Sequence, residues 1–406
     1  MFLLAQLAGC GGSSSTSTPG GNTITTSGSN VAALTVNSGP PELQSAGGAL
    51  NTGFMSMSLC APGTSTCQTV NFVAVDTGSS GIRILKSNLS VSLPNETDSS
   101  GNTIAECNQF VDGFTWGPVQ LADVTFPGTS ETASSVPIQI VDDSNSFTGA
   151  PGSCTNGSAG SDNNIVGLGA YAILGIGNFR QDCGLACTLT FFGPSGNPGL
   201  YYTCPGGVCN PVAVSIAQQL QNPVAMFATD NNGSIIELPT VSTDGGTVNG
   251  SVVFGIGTQT NNGLGNATML TLDSNGLMTT LFGPAQTAYP GSFIDAGSNG
   301  IFFLDTATNG IPTCPTNPSL YCPSTTLNLQ ATNQGLNGTS SVVKFNIGNA
   351  ETLPGSGAVS EFGGVFDVPS PLFDFGLPFF YGRNVFTGIE GVSNGQPTDT
   401  GQFVAY

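Results

Sequence analysis

The chain has 406 residues, which is enough for two lobes with substantial cores. It carries 24 acidic residues, five basic residues and no histidine, which gives a net charge of −19. This balance excludes a basic surface for nucleic acid, and the lack of histidine excludes Ser-His-Asp catalysis, Cys-His catalysis and imidazole metal sites.

The amino terminus predicts a lipid-anchored, exported protein. Residues 1–10 are apolar and end in Leu7-Ala-Gly-Cys10, which resembles the bacterial lipobox, whose cysteine is acylated and becomes the first mature residue. The apolar region is short and lacks basic residues, so we expect it to be the end of a longer, truncated signal peptide. Gly11 follows the cysteine, which in that family favours the outer membrane. The resemblance therefore implies a lipoprotein of the bacterial cell envelope, facing the periplasm or the cell surface.

Residues 11–49 are rich in Gly, Ser and Thr, and this composition predicts a flexible tether between the lipid and the folded domain. Beyond the tether, short segments rich in Val, Ile, Thr and Phe alternate with Gly, Pro and Asn. This pattern is typical of strands joined by turns, so the predicted fold class is mainly β.

Ten cysteines follow Cys10, and an even number in an exported protein predicts disulfide bonds. Three pairs would close short Gly/Pro-rich loops: Cys60–Cys67, Cys204–Cys209 and Cys314–Cys322. Two further pairs, Cys183–Cys187 and Cys107–Cys154, would complete the set. The alternative is a zinc site built from Cys183, Cys187, Cys204 and Cys209. Oxidising surroundings and irregular spacing argue against it, so we expect no metal.

The first candidate catalytic segment follows a predicted hairpin. Apolar, β-rich residues 54–60 and 67–75 flank a Pro-Gly loop and lead directly into Asp76-Thr-Gly-Ser-Ser. Another apolar run, which begins at Ile82, comes next. By itself an Asp-Gly turn after a strand indicates only a turn.

A second copy of the pattern lies 219 residues later, where Phe293-Ile leads into Asp295-Ala-Gly-Ser-Asn-Gly and the apolar Ile301-Phe-Phe. Two copies indicate an internal duplication, so we predict two equivalent lobes, at residues 50–230 and 231–406. Two carboxylates at equivalent strand ends are suited to a pair that shares one proton.

These paired motifs resemble those of the pepsin-like aspartic proteases. Two more motifs follow in the family's order: Ala172-Ile-Leu-Gly-Ile-Gly177 resembles the hydrophobic-hydrophobic-Gly strand of the first lobe, and Phe373-Asp-Phe-Gly376 that of the second. The resemblance covers roughly residues 50–406 and is closest to an uncharacterised bacterial branch, a lipoprotein-type domain of unknown function. It implies a bilobal fold of two duplicated β-barrel-like lobes with a cleft between them.

The resemblance also implies roles for the residues around the two motifs. Asp76 and Asp295 would be catalytic, because one ionised carboxylate can deprotonate a bound water while its protonated partner stabilises the developing oxyanion. The residues that would support this pair, by close backbone approach or by hydrogen bonds, are Thr77, Gly78, Ser79, Gly297 and Ser298.

Three positions depart from the family pattern. Ala296 stands where the family has Thr, so half of the hydrogen-bonded brace beneath the pair is missing. The flap tyrosine is absent, and the predicted flap offers Phe110, Phe114 or Trp116 to the cleft instead. Arg83 replaces the Trp that supports that tyrosine, and we expect a partly exposed strand residue or, alternatively, a cleft residue that lowers the pKa of the pair.

Two functional hypotheses remain. The first is a monomeric acid endopeptidase outside the cytoplasm that needs no cofactor and takes an extended, mostly apolar peptide in its cleft. The second is a non-catalytic lipoprotein with the same fold, which uses the cleft or surface loops to hold a peptide, glycan or partner. Retention of both aspartates favours the enzyme.

Overall fold

The computed structural model describes residues 15–17, 22–156, 160–193, 196–242, 244–366, 370–391 and 401–406. The predicted signal segment 1–10, with its lipidation site Cys10, lies outside the described residues. Strands dominate the remainder and confirm the mainly β class. In chain order they are β1 (Ser15–Ser17), β2 (Thr23–Thr25), β3 (Val31–Val36), β4 (Gly53–Cys60), β5 (Cys67–Asp76), β6 (Ser80–Leu85), β7 (Ile104–Gln109), β8 (Phe114–Thr125), β9 (Thr132–Val141), β10 (Ala172–Ile176), β11 (Tyr201–Thr203), β12 (Asn210–Pro211), β13 (Gly233–Leu238), β14 (Val248–Phe254), β15 (Met269–Thr271), β16 (Met278–Phe282), β17 (Thr287–Ile294), β18 (Ile301–Phe303), β19 (Leu327–Gln334), β20 (Ser340–Ile347), β21 (Gly363–Gly364), β22 (Phe373–Phe375), β23 (Arg383–Gly388) and β24 (Phe403–Ala405).

The helices are short connectors between strands. The α-helices are α1 (Pro41–Gln44), α2 (Gly152–Thr155), α3 (Ile165–Leu168) and α4 (Thr306–Asn309). Single 3₁₀ turns occur at Lys86–Asn88, Gly184–Thr188, Pro205–Gly207, Ile216–Gln218, Pro223–Met226 and Leu377–Phe379. Across the described ranges, no helix combines the length and the apolar character that crossing a bilayer requires.

The N-terminal lobe is built on a closed barrel. Its strands follow one another in the order β8, β9, β6, β10, β5 and β4, and β4 pairs back to β8. Val73, Ile82, Ile138 and Leu174 fill the interior and are fully buried. Each such side chain contributes roughly 1.5–3 kcal/mol by leaving water, so the barrel provides a rigid base for the loops at its edge.

A second layer of strands joins the two lobes. It runs in the order β3, β14, β13, β23, β24 and β15, and so combines residues from both ends and the middle of the chain. The prediction of a tether over 11–49 is therefore wrong from residue 22 onward. Val31–Val36 pairs with β14 on one side and with β4 on the other, and Leu34 and Val36 are buried in the core.

The C-terminal lobe contains a sheet in the order β20, β19, β16, β17, β22, β18 and β21. Its core is aromatic: Phe303 stacks on Phe373 at 4.9 Å between ring centroids, and Phe373 stacks on Phe375 at 5.5 Å. These rings lie on β18 and β22, so they pack directly behind the loop that follows β17.

The same three-strand arrangement occurs once in each lobe. In the N-terminal lobe β10 lies between β5, to which it is parallel, and β6, to which it is antiparallel. In the C-terminal lobe β22 lies between β17 and β18 with the same directions. The internal duplication inferred from the sequence is thus a duplication of backbone topology, and it places Asp76 and Asp295 at equivalent strand ends.

The described residues contain the five predicted disulfide bonds. They are Cys60–Cys67, Cys107–Cys154, Cys183–Cys187, Cys204–Cys209 and Cys314–Cys322. The alternative of a four-cysteine zinc site is wrong, because its four members form two of these bonds and disulfide sulfurs are not available as thiolate ligands. The bonds indicate an oxidising compartment for folding.

Candidate active site

The first aspartate sits where β5 ends and the chain turns back toward β6. Asp76 is only 8% exposed, and its carboxylate is held by two donors from its own loop. The Gly78 amide donates to Asp76 Oδ1 at 2.7 Å, and the Ser79 hydroxyl donates to Oδ2. The turn itself therefore fixes the direction of the carboxylate.

The second aspartate repeats this geometry after β17. Asp295 is 9% exposed, the Gly297 amide donates to its Oδ1 at 2.8 Å, and Ser298 Oγ donates to its Oδ2 at 3.0 Å. All the supporting residues implied by the sequence motif are thus in contact with one of the two carboxylates or, in the case of Thr77, with the opposite loop.

The two loops meet face to face. A methyl group added at Gly78 would lie 2.7 Å from Asp295 Cγ, and one added at Gly297 would lie 2.6 Å from Asp76 Oδ1. Each glycine therefore admits the carboxylate of the opposite lobe, which any side chain would displace. This reciprocity brings the two aspartates into one site, as the duplicated motif predicts.

One hydrogen bond braces the loops beneath the carboxylates. The Ala296 amide donates to Thr77 Oγ1 at 2.8 Å, across the boundary between the lobes. The reciprocal bond would need a hydroxyl at position 296, and alanine has none. The sequence predicted that half of the brace is missing, and the structure has one hydrogen bond where twofold symmetry would give two.

Electrostatics favour a proton within this site. Burial raises the pKa of Asp295 well above its usual range, and the negative charges of Asp76 and Asp374 raise it further. The two loops hold the carboxyl groups against each other, so the ionisation of one disfavours the ionisation of the other. A singly protonated pair is the state that acid–base chemistry on a bound water needs.

A cavity of about 340 Å³ opens above the two carboxylates. Its floor is formed by the two Asp loops and by Asp374, and its C-terminal wall includes the apolar Leu277 and Met278. The hairpin of β7 and β8 forms the opposite side, where Phe110 and Val111 at its tip line the cavity. A cleft of this shape has room for an extended segment with apolar side chains.

Only one of the three predicted flap aromatics lines the cavity. Phe110 does so, whereas Phe114 and Trp116 are buried within the lobe, packed with Tyr202 and the Cys107–Cys154 disulfide. The prediction that Phe114 or Trp116 faces the cleft is therefore wrong. They lie on the strand after the tip, and Trp116 Nε1 donates to the Thr148 carbonyl at 2.6 Å, which anchors the base of the hairpin.

Both expectations for Arg83 are wrong, because its side chain is neither partly exposed nor part of the cleft. It is fully buried and donates to Glu106 at 2.6 Å, with Asp182 at 3.6 Å. Burial alone would lower the pKa of Arg83, but the charges of Glu106 and Asp182 outweigh that and raise it. The guanidinium lies 5.7 Å from the ring centre of Phe110, so it supports the flap tip from behind.

Sequence reasoning missed three buried acids near the site: Glu106 and Asp182, which lie beside Arg83, and Asp374, which lines the cavity. The sequence held a signal for two of them, Glu106 and Asp374. Arg83 and Glu106 interrupt apolar strand segments, where a charge demands a partner. Asp374 stands in the hydrophobic-hydrophobic-Gly strand at a position that the motif reserves for an apolar side chain.

Comparisons with known proteins agree with this architecture. The family model described as "Protein of unknown function (DUF3443)" matches residues 26–406. Among solved structures, the crystal structure of aspartic proteinase from Irpex lacteus is similar, with a TM-score of 0.50 and 14% identity over 92% of this chain and 96% of that chain. No protein of curated function matches the sequence. The structural likeness confirms the predicted pepsin-like bilobal fold, and at this identity it shows the fold alone.

Proposed function

We propose that this chain, which belongs to the DUF3443 family of proteins of unknown function, is an aspartic endopeptidase that hydrolyses peptide bonds at acidic pH. The observation that carries the proposal is the reciprocal approach of the two Asp loops, in which Gly78 and Gly297 each face the opposite carboxylate. A pair of turns with a purely structural role has no need of this contact, which holds two acidic side chains against each other at the floor of a cleft.

The chemistry follows from one proton shared by two carboxyl groups. A water molecule held between Asp76 and Asp295 attacks the peptide carbonyl carbon and gives one proton to the ionised carboxylate. The protonated carboxyl donates its proton to the carbonyl oxygen, so a neutral tetrahedral diol forms. The first carboxyl then passes its proton to the amide nitrogen as the C–N bond breaks. The second carboxylate takes a proton back from one hydroxyl of the diol, which becomes the carbonyl group of the acid product. Both carboxyls thus return to their starting states.

The working pH follows from this cycle. One carboxyl must be ionised and its partner protonated, and above the upper pKa of the pair the shared proton is lost. Because burial and neighbouring charge raise the pKa of Asp295, the pair retains its proton through the acidic range. We expect activity between about pH 3 and 5 and a loss of activity when both groups ionise.

The test uses the chain with Cys10→Ser, so that the protein is free of its lipid and keeps β3, which is part of the central sheet. It should cleave an unfolded protein at pH 4, and a statine-containing peptide should inhibit it because the statine hydroxyl takes the place of the attacking water. Asp76→Asn and Asp295→Asn should each abolish cleavage without loss of the fold. Glu351→Gln, an exposed acid outside the cavity, is the control and should cleave normally.

The alternative is a non-catalytic binding lipoprotein, and the observation in its favour is the single-sided brace at Ala296. A folded wild type that cleaves none of several peptide libraries between pH 2 and 7 would establish this alternative instead. In that outcome the cleft remains a peptide-binding groove, and the missing brace accounts for the lost chemistry.

We also propose that the protein is anchored by lipid at Cys10 to the outer membrane of a bacterial cell. Support comes from the Leu7-Ala-Gly-Cys10 motif and from the five disulfides, which form outside the cytoplasm. The wild type should sediment with membranes, and Cys10→Ser should release it. Recovery of unacylated wild type with reduced thiols from the cytoplasm contradicts this location.

A further inference from the structure

Exposed large apolar side chains are concentrated in one short loop of the N-terminal lobe. Leu185, Leu189, Phe191 and Phe192 are between 37% and 77% exposed. Within the described residues these are four of the nine exposed large apolar side chains, and they fall within eight consecutive positions. Single exposed apolar residues are ordinary on a protein surface, whereas a group of them marks a contact site. We call residues 185–192 the apolar loop.

The backbone beneath the apolar loop is held in place, so the exposed side chains stand on a fixed frame. The Cys183–Cys187 disulfide closes its first turn. Asn197 is 1% exposed, and its Nδ2 donates to the carbonyls of Cys187 at 3.0 Å and Leu189 at 2.8 Å. The Asn197 amide donates to the Phe191 carbonyl at 2.9 Å. Binding through this loop therefore orders little backbone and costs little conformational entropy.

The apolar loop does not belong to the proposed catalytic site. None of the described residues that line the cavity above the dyad comes from it. The chain leaves the loop through β11, which pairs with β7 at the base of the flap hairpin, where Tyr201 is opposite Glu106. The loop therefore lies on the N-terminal lobe outside the cavity, and a peptide bound over the dyad has no need of it.

Charge selects the partner of the apolar loop. The chain has a net charge of −19, yet residues 183–229 contain no charged residue. Anionic lipid headgroups repel an acidic protein, so such a protein approaches a bilayer most closely through a part of its surface without carboxylates. Leu and Phe side chains that project from that part enter the interface between headgroups and acyl chains. The loop combines the two properties that docking on a lipid surface requires.

We propose that the apolar loop is a membrane-docking element, whose four exposed side chains insert into the bilayer to which Cys10 is attached. The inference rests on the proposed lipid anchor and deepens it. Twelve residues separate Cys10 from Asn22, where the described segment 22–156 begins, and a fully extended chain of that length spans at most about 40 Å. The anchor thus keeps the domain near the lipid, so weak insertion suffices, and this insertion turns the N-terminal lobe toward the bilayer.

The first test removes the anchor and measures the loop alone. The chain with Cys10→Ser is mixed with vesicles of phosphatidylethanolamine and phosphatidylglycerol and floated on a density gradient over a range of lipid concentrations. We expect reversible binding at high lipid concentration, weak enough that washing still releases this protein from membranes. Adding Leu185→Ser together with Phe191→Ser should lower the partition coefficient by about tenfold, because less apolar area leaves water.

The matched control is Leu336→Ser together with Val342→Ser, which removes two similarly exposed apolar side chains from the C-terminal lobe and should leave the partition coefficient unchanged. High salt should strengthen the binding of the parent, because it screens the repulsion between the acidic protein and phosphatidylglycerol. Thermal unfolding without lipid verifies that each variant is folded. A parent that floats at no lipid concentration, or equal partition coefficients of the parent and the loop variant, overturns the inference.

The alternative occupant is a second copy of the chain, and sedimentation without lipid tests it. A dimer of the Cys10→Ser protein that the loop variant dissociates, with no flotation of either protein, assigns the loop to self-association and overturns the inference. The anchor is judged separately. Acylated wild type that sediments with membranes, while Cys10→Ser binds no vesicles, keeps the anchor and loses the docking loop. Unacylated wild type, with flotation of Cys10→Ser, refutes the anchor and keeps a loop that binds lipid.

Discussion

The two lobes present the same backbone motif to the active site but place their ionisable side chains on different strands of it. In the N-terminal lobe the residue beside the Asp loop is Arg83 on β6, and in the C-terminal lobe the equivalent position is Phe302 on β18. On the middle strand the relation is reversed, because Ile173 corresponds to Asp374. The duplication is thus preserved in the backbone contacts, whereas the flanking side chains have diverged.

The side chains that differ between the lobes have different roles in each lobe. In the N-terminal lobe the charges lie behind the flap, where Glu106 pairs with Arg83 and Tyr201 donates to Asp182 at 2.7 Å. Burial and the charge of Glu106 raise the pKa of Asp182 well above its usual range. Asp374 of the C-terminal lobe has no basic residue beside it on β17, β18 or β22, and its negative charge raises the pKa of Asp295. One lobe therefore supports the flap, and the other adjusts the protonation of the site. The following substitutions test this difference between the two lobes.

The largest effect is expected from Arg83→Met. The change leaves Glu106 and Asp182 buried without their cation, and we expect the free energy of unfolding to fall by about 3–5 kcal/mol in urea denaturation. The control is Phe302→Leu at the equivalent position of the other lobe, which should cost about 1 kcal/mol. Adding Glu106→Gln to Arg83→Met should restore part of the loss, since it removes one uncompensated charge. Equal stabilities of Arg83→Met and the control contradict the buried charge cluster.

Next in size are the substitutions Gly78→Ala and Gly297→Ala, which test the symmetry of the dyad. Each added methyl would meet the opposite carboxylate at under 3 Å, so the two aspartates must move apart. We expect each change to lower kcat/KM by about 100-fold or more in the peptide cleavage assay, because small misplacements of catalytic groups are costly. If one of the two variants keeps wild-type activity, the reciprocal contact does not hold the dyad.

Ala296→Thr should make the hydrogen-bonded brace between the two Asp loops symmetric. A hydroxyl at this position can accept from the Thr77 amide and complete the brace, which should raise the free energy of unfolding by about 1 kcal/mol and leave kcat equal or higher. The matched change Thr77→Ala removes the existing bond to the Ala296 amide and should lower stability by a similar amount. A destabilised Ala296→Thr indicates that the two loops do not have room for the second half of the brace.

The smallest effect is expected at the flap, where two acids approach each other. Burial and the charge of Asp112 raise the pKa of Asp162 from its ordinary 3.8 to about 6. The stability from this proton is fully present below the unfolded-state value and is lost as the pH rises through 6. Asp112→Asn should therefore reduce the difference in thermal stability between pH 4 and pH 7, by no more than about 1 kcal/mol. An unchanged pH dependence shows that the two acids do not interact.

The dyad could be predicted from the sequence because the residues that form each Asp loop are neighbours in the chain. Asp76 and Asp295 each carry their donors within three residues, so the motif contains its own geometry. β3 was missed for the opposite reason: Val31–Val36 pairs with a strand more than 200 residues away, and its surroundings are rich in Gly, Ser and Thr. Long-range pairing of this kind has no local signature.

The flap shows a further limit. Phe110, Phe114 and Trp116 look alike in a predicted hairpin, and only the bend at the tip, where the Phe110 amide donates to the Gly113 carbonyl at 2.7 Å, turns the first toward the cleft. The partners of Arg83 come from two separate segments, on β7 and after β10, which no spacing rule connects. A charge in an apolar strand predicts that a partner exists without telling which residue it is.

The most direct test of the shared-proton dyad is calorimetric binding of a statine-containing peptide at pH 4 to the wild type, Asp76→Asn and Asp295→Asn. The statine hydroxyl takes the place of water between the two carboxyls, so the account predicts tight binding to the wild type and a loss of about 100-fold or more in each variant, as expected when charge-assisted hydrogen bonds are removed. Equal affinities for all three proteins would show that the cleft binds peptides without a dyad and would contradict the account.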